Sequence, residues 1–278
     1  MIHLFVFGMG YSARRIADRV AAQGGSVGGT TRSGGAGLLR FDDDAAVFGE
    51  LARATHILSS VPPDGNTDPV LARYGDAIAR SGAWLGYLSS TGVYGDAGGA
   101  WVDETAPLGG RRPARTAADA AWCAIDAHVF RLPGIYGPGR SALERVAAGT
   151  AHRVGLPEQV FSRIHVDDLA SGVVAGFAAP PGAYNLADDR PSSQDDVMVF
   201  AARLLGLPPP PVVALETLSP MARGFYRENR RVAAGKAKRV LGWAPRYPDY
   251  RAGLRALSAI TSPIAASTAP PTASGDQR

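Results

Sequence analysis

Cysteine and lysine are nearly missing from this chain of 278 residues: Cys123 stands alone, and Lys236 and Lys238 are the two lysines against a lysine-plus-arginine total of 29. One cysteine closes no intramolecular disulfide and builds no metal site by itself, which fits a reducing compartment and makes Cys123 a core thiol. His3, His56, His128 and His152 show no metal-ligand spacing, so no metal is expected. No apolar run reaches the ~18–20 residues that cross a bilayer, and no cationic segment precedes the first apolar stretch. Neither a membrane partner nor a secretory signal is read, and the cytoplasm is the expected location. No internal repeat is visible. The formal charge of +4 and pI near 9.4 come from arginines interleaved with carboxylates, which speaks against a nucleic-acid partner. One denser basic stretch holds Arg227, Arg230, Arg231, Lys236, Lys238 and Arg239, and reads either as a grip on an acidic or phosphorylated substrate or as a solvated helical face.

What the chain does have is apolar material, 46% of its residues, enough for one large α/β unit or two closely joined lobes. It opens with an apolar strand, Ile2 to Phe7, a turn Gly8-Met9-Gly10-Tyr11-Ser12-Ala13, and a segment with Ala13, Ile16, Ala17 and Val20 at helical spacing. Strand, glycine turn and helix in succession make a dinucleotide site. Gly8 permits the tight turn, Gly10 lets backbone approach a pyrophosphate, and Ala13 packs helix on strand. Tyr11 and Ser12 open the helix, whose N-terminus favours the anion.

Strand and helix then alternate as in a Rossmann-type, doubly wound parallel sheet. Strands are predicted over 26–30, 38–41, 55–61, 84–89 and 128–132. A helix opens with Asp68 as cap and Pro69 as first residue, and another covers 113–127. Ligands of such sheets bind beyond the carboxyl ends of the strands. After the second strand stands Arg32 rather than an acid, which favours the 2′-phosphate of NADP, with Thr31 and Ser33 as further donors and NAD as the alternative cofactor. Asp42, Ser60, Pro62, Ser89 and Pro133, at later strand ends, are read as further cofactor contacts. The Rossmann unit is expected over 1–137 with a return at 160–188, a smaller C-terminal substrate lobe over 138–159 and 189–261, and a disordered tail over 262–278. Within that second half, a helix is predicted around 141–148, a strand near 161–165, a helix from 167, a strand at 184–186 and a helix capped by Ser192 or Ser193 running to 205.

Four ordered segments carry a resemblance: Leu88-Ser89-Ser90-Thr91-Gly92-Val93-Tyr94-Gly95, Arg131-Leu132-Pro133-Gly134-Ile135-Tyr136-Gly137-Pro138-Gly139, Arg163-Ile164-His165-Val166-Asp167-Asp168-Leu169-Ala170, and Tyr184-Asn185-Leu186, with a late segment from Lys236 to Trp243 followed by Pro245 and Tyr247. Over roughly 1–258 the chain resembles an extended, atypical short-chain dehydrogenase/reductase of the NAD-dependent epimerase/dehydratase type. The resemblance implies nicotinamide chemistry, a small-molecule substrate and a homodimer. It puts Ser90, with Thr91 beside it, at the hydroxyl position that polarises a substrate oxygen. It also implies a Tyr-x-x-x-Lys pair, in which the ammonium helps the phenol give or take a proton. No tyrosine lies between Tyr94 and Tyr136, and no lysine precedes Lys236. Counting back from Asp119 puts Arg115 at the lysine and Arg111 at the tyrosine. Arginine is no proton donor at neutral pH. Arg115 is read as a cofactor contact and Arg111 as a substrate contact.

Tyr94 becomes the candidate acid, with Tyr136 and Arg227 beside it as substrate contacts and the loop acids Asp103 and Glu104 as further pocket candidates. His165, Asp167 and Asp168 are read as structural, capping the following helix at the join of the lobes. The leading expectation is an NADP-binding oxidoreductase for a small polar, sugar-derived or acidic substrate. A nucleotide-sugar epimerase or dehydratase is the runner-up, and a non-catalytic NADP-binding sensor or scaffold is the third.

Overall fold

The computed structural model describes residues 1–261. Residues 262–278, expected to be disordered, lie outside the described residues. In β1 (His3–Phe7), Leu4 and Val6 enter one face of the sheet while Phe5 and Phe7 enter the other, and all four are fully buried. Burial on both sides belongs to a parallel strand covered by helices above and below. The chain continues through α1 (Tyr11–Ala22), β2 (Ser26–Thr31), β3 (Leu39–Arg40), α2 (Asp44–Leu51), β4 (His56–Ser59), α3 (Pro69–Arg80) and β5 (Trp84–Ser90). After β6 (Trp101–Val102) come α4 (Pro113–Ala124), β7 (His128–Leu132), β8 (Gly134–Tyr136), α5 (Ala142–Ala147), β9 (Val160–Phe161), β10 (Arg163–His165) and α6 (Val166–Ala175). The last elements are β11 (Gly182–Asn185), β12 (Ser192–Ser193), α7 (Gln194–Leu204), α8 (Pro220–Phe225), β13 (Arg231–Val232), α9 (Gly235–Val240) and α10 (Tyr250–Thr261).

Seven strands form one parallel sheet in the order β11-β7-β5-β4-β1-β2-β3. The direction of winding reverses at β1, between β2 and β4, and ligands of such sheets bind at that switch point. On one face α1 and α6 bury Ile16, Val20, Leu169 and Val173 against Leu4, Val6 and Phe130. On the other, α2, α3 and α4 bury Leu51, Tyr74, Ile78 and Trp122 against Phe5, Phe7 and Tyr87. A separate cluster, including Leu143, Val146, Met198, Ala201 and Leu254, joins α5, α7 and α10 and is reached from β7 through β8.

Several helix starts follow from their capping residues. Asp68 Oδ1 accepts the N–H groups of Val70 and Leu71 at 2.9 Å with Pro69 first in α3, while its Oδ2 accepts Trp122 Nε1 at 2.9 Å. His165 Nδ1 accepts the Asp167 N–H at 3.2 Å to cap α6, and Asp168 takes the N–H groups of Arg246 and Tyr247 at 2.8 and 2.9 Å. Ser193, rather than Ser192, caps α7 by accepting the Asp196 N–H at 3.0 Å. Helix α4 stops at Ala124, short of the 127 expected, because Asp126 adopts φ 56° and turns the chain into β7. The short α2 and the parallel pair β6 and β13 carry too few residues to leave a periodic signal. Among the described residues, no helix is long and apolar enough to cross a membrane.

Candidate active site

The glycine turn sits at the carboxyl end of β1. Gly8 has φ +80°, and a Cβ there would come within 2.9 Å of Val61 Cγ2, so both the turn and the neighbouring chain demand glycine. The Gly8 N–H donates to Thr30 Oγ1 at 3.2 Å, and Ser60 Oγ donates to the Gly8 carbonyl, pinning the turn between β2 and β4. Gly10 is the N-cap of α1 and supplies no side-chain cap, and a Cβ on it would meet nothing nearer than the Gly8 carbonyl at 3.9 Å. The start of α1 thus has neither a side-chain cap nor an acidic residue in its first turn, an arrangement able to receive an anion. Ala13 is 1% exposed and packs helix on sheet.

A cavity of about 950 Å³ runs from this turn across the sheet edge. Gly10, Tyr11, Ser12, Ser60 and Pro62 line its beginning, and Ser89, Ser90, Thr91, Arg115 and Pro133 its middle. Arg111, Arg112, Arg140, Arg145, Arg163 and Arg230 make the rest of the wall strongly cationic, with Glu228 and His152 among them. Ser90 Oγ accepts the Gly92 N–H at 3.1 Å, which fixes the oxygen and leaves its proton for another acceptor. Arg111 Nε donates to Glu228 Oε1 at 2.6 Å, and Arg230 Nη1 donates to Glu228 Oε2 at 2.7 Å. Burial would raise the Glu228 carboxyl, but these two hydrogen bonds prevail and hold it below the usual carboxylate value. Arg163 is 8% exposed, with Nη1 donating to the carbonyls of Phe161 and Ser192 at 2.8 and 2.9 Å. Burial brings its pKa down to about 10, which leaves it charged at neutral pH.

Thr31, Arg32, Ser33, Asp42, Tyr94, Asp103, Glu104, Tyr136 and Arg227, all expected at the site, are not in the lining of this cavity, and neither are Gly8 and Ala13 of the turn. Tyr94 is 5% exposed; its hydroxyl donates to Asn185 Oδ1 at 2.7 Å and accepts from Arg131 Nη1 at 3.1 Å. Burial raises its pKa despite Arg131, and Tyr94 is corrected from proton donor and substrate contact to a structural brace. It belongs to a buried chain in which Arg131 pairs with Asp119 at 2.7 Å and Ser89 Oγ donates to Asp119 Oδ2 at 2.6 Å. Tyr136 is likewise corrected, because its ring lies edge-on to His165 at 5.2 Å and packs in the cluster of α5, α7 and α10. Arg227 is exposed and does not line this cavity, whereas Tyr226, Glu228 and Arg230, alternating around it, do. Asp42 gives both carboxylate oxygens to Arg40, at 3.0 and 2.8 Å, so it is no free cofactor contact. Arg32 sits exposed just after β2 with no ion pair among the described residues.

The loop acids are engaged elsewhere, Asp103 accepting from the Thr105 N–H at 2.9 Å and Glu104 accepting the Asn185 N–H at 2.7 Å. Sequence reasoning missed Arg140, Arg145, His152, Gln194 and Tyr226. Arg163 and Arg230 stood inside segments already noted, but nothing local marked them as cavity residues.

No family model matches the chain. A curated relative, the 3-diazoavenalumate denitrifying reductase of a Streptomyces species, is 34% identical over 140 residues, 45% of this chain and 45% of that protein. This chain thus matches less than half the length of that relative. A solved structure described as a functionally unknown conserved protein from Silicibacter pomeroyi is 44% identical, covering 94% of this chain and 99% of that one, with a TM-score of 0.83. The UDP-glucose 4-epimerase of Thermotoga maritima, solved with UDP-glucose, has a TM-score of 0.75 at 17% identity and covers 93% of this chain and 98% of that one. The human epimerase family protein SDR39U1, solved with NADPH, has a TM-score of 0.71 at 16% identity, covering 93% of this chain and 99% of that one. At such low identities the last two likenesses are of fold.

Proposed function

The chain belongs to one family with the Silicibacter pomeroyi protein and carries the extended short-chain dehydrogenase/reductase fold of the epimerases and dehydratases, and from that premise we propose that it is an NADP-binding oxidoreductase for a small acidic substrate. A single observation carries this reading: one cavity joins the uncapped N-terminus of α1 to Ser90 and Thr91 and then to a wall of arginines. The residues fit the cofactor. Gly8 and Gly10 would admit the pyrophosphate to the backbone N–H groups of Tyr11 and Ser12, and Arg32 would meet the 2′-phosphate. Ser60, Pro62, Ser89, Arg115 and Pro133 would line the remainder of its path. Bound NADPH supplies a hydride.

The chain's own part is binding and polarisation. Ser90, its oxygen accepting the Gly92 N–H, would donate its hydroxyl proton to a substrate oxygen. Arg111, held by Glu228, stands where the resemblance implies a tyrosine and contributes charge rather than a proton. A reductive direction agrees with the name of the Streptomyces relative. Nucleotide-sugar epimerisation lacks the Tyr-x-x-x-Lys pair that it would need. Equilibrium titration with NADP and NAD, followed by single-turnover absorbance at the nicotinamide band with a panel of aldehydes, ketones and sugar acids, tests the proposal. Tight NADP binding with turnover of an acidic member is expected. Tight binding with no turnover would favour a cofactor-dependent sensor.

A further inference from the structure

Where the cavity meets α5, β9, β10 and α8, its wall combines flat rings with cations. Tyr226 and Phe161 pack edge to face, with centroids 5.6 Å apart at 88°. Arg163 also packs on Phe161, its Cζ 5.9 Å from the ring centroid and its Nη1 donating to the Phe161 carbonyl at 2.8 Å. The rings are thus pre-positioned. Among the described residues, the Tyr226 hydroxyl has no hydrogen-bond partner, so its polar end is available to whatever enters.

The cations here are uncompensated. Neither Arg145 nor Arg163 forms an ion pair among the described residues. The carboxylates nearby are engaged or discharged: Glu228 is shared by Arg111 and Arg230, and Asp195 accepts the N–H groups of Val154 and Gly155 at 2.9 and 2.8 Å. Asp188, behind Arg163, is 2% exposed, and burial pushes its pKa up to about 8, so at neutral pH it is mostly an uncharged acid. Arg145 stands on α5, whose start is fixed by the capping box of Ser141 and Glu144, so its backbone position is set before any ligand arrives. A planar guanidinium fork matches a carboxylate in two hydrogen bonds. Val160 and Phe225 add apolar surface beside the two rings, which suits a flat aromatic body.

We propose that this end of the cavity is a subsite for an aryl carboxylate, its ring held by Phe161 and Tyr226 and its carboxylate by Arg145, with Arg163 adding charge from behind. This rests on the cavity being shared by cofactor and substrate, as the proposed function has it. Calorimetric titration of the full chain, with and without NADP, uses 4-hydroxycinnamate as probe and 4-hydroxycinnamyl alcohol, cyclohexanecarboxylate and UDP-glucose as comparators. The aryl acid is expected to bind at least tenfold tighter than the alcohol or the saturated acid. Arg145→Gln and Tyr226→Ala should each weaken it about tenfold or more, Arg145→Lys should restore part of the loss, and NADP affinity should be unchanged in all three.

Equal binding of the three small probes overturns the subsite, and so does wild-type affinity in Arg145→Gln. Tighter binding of UDP-glucose, lost in the same variants, overturns it in favour of a nucleotide sugar. A wild type that binds NADP but no aryl acid defeats the subsite alone. One that binds the aryl acid but no NADP supports the subsite and defeats the cofactor assignment instead.

Discussion

Arg32 follows the last residue of β2 with a guanidinium that no carboxylate among the described residues engages, and its worth is measurable. Replacing it with alanine should weaken NADP binding by about 1.5–3 kcal/mol, the value of charge-assisted hydrogen bonds, and leave NAD binding nearly unchanged. Parallel titrations with both cofactors check this, and an unchanged ratio removes Arg32 from the site. Asp119 is fully buried and bridges Arg131 and Ser89. Asp119→Ala would strand a buried guanidinium, for which a loss of about 3–5 kcal/mol is expected in urea unfolding. The places of Gly8 and Gly10 in the turn, and of Ser90 at the end of β5, were legible because they follow from the local path of the chain. Tyr94 was not. Its position just past β5 was visible, but its direction is set by Asn185, 91 residues further along, and by Arg131.

The turn between β1 and α1 has its own energetics. Gly8→Ala puts a side chain at φ +80° and 2.9 Å from Val61 Cγ2, so a stability loss of about 1–3 kcal/mol is expected, with weaker NADP binding as the turn shifts. Thermal unfolding and cofactor titration on the same variant separate the two effects. In α3, Asp68 serves two backbone N–H groups and the Trp122 indole together. Its cap and the following proline were readable from sequence spacing, since both act within one turn of chain. The bond to Trp122 was not, because it joins α3 to α4 across 54 residues. The ends of α4 and the strands of two residues escaped for a related reason: single left-handed residues and short tertiary pairings leave no period in the sequence.

Across the whole molecule, the buried acid Asp188 ties stability to pH. Its folded-state pKa is pushed up to about 8 by burial, whereas an unfolded aspartate titrates near ~4. Between these values the folded chain holds a proton that the unfolded chain has released, so this group makes stability fall as pH rises through the window, with the fall complete above the folded value. Asp188→Asn should flatten that slope, and melting temperatures from pH 5 to 9 would show it; an unaltered slope refutes the assignment.

The alternation of the longer strands and helices and the glycine turn were determined by sequence alone, because apolar period and glycine placement are local facts. The composition of the cavity wall was decided only in the tertiary structure. Arg111, Arg145, Arg163 and the pair Tyr226 and Arg230 come from separate segments of the chain, and only the fold brings them to one cavity, where Arg111 and Arg230 share Glu228 while Arg145 and Arg163 have no ion pair among the described residues.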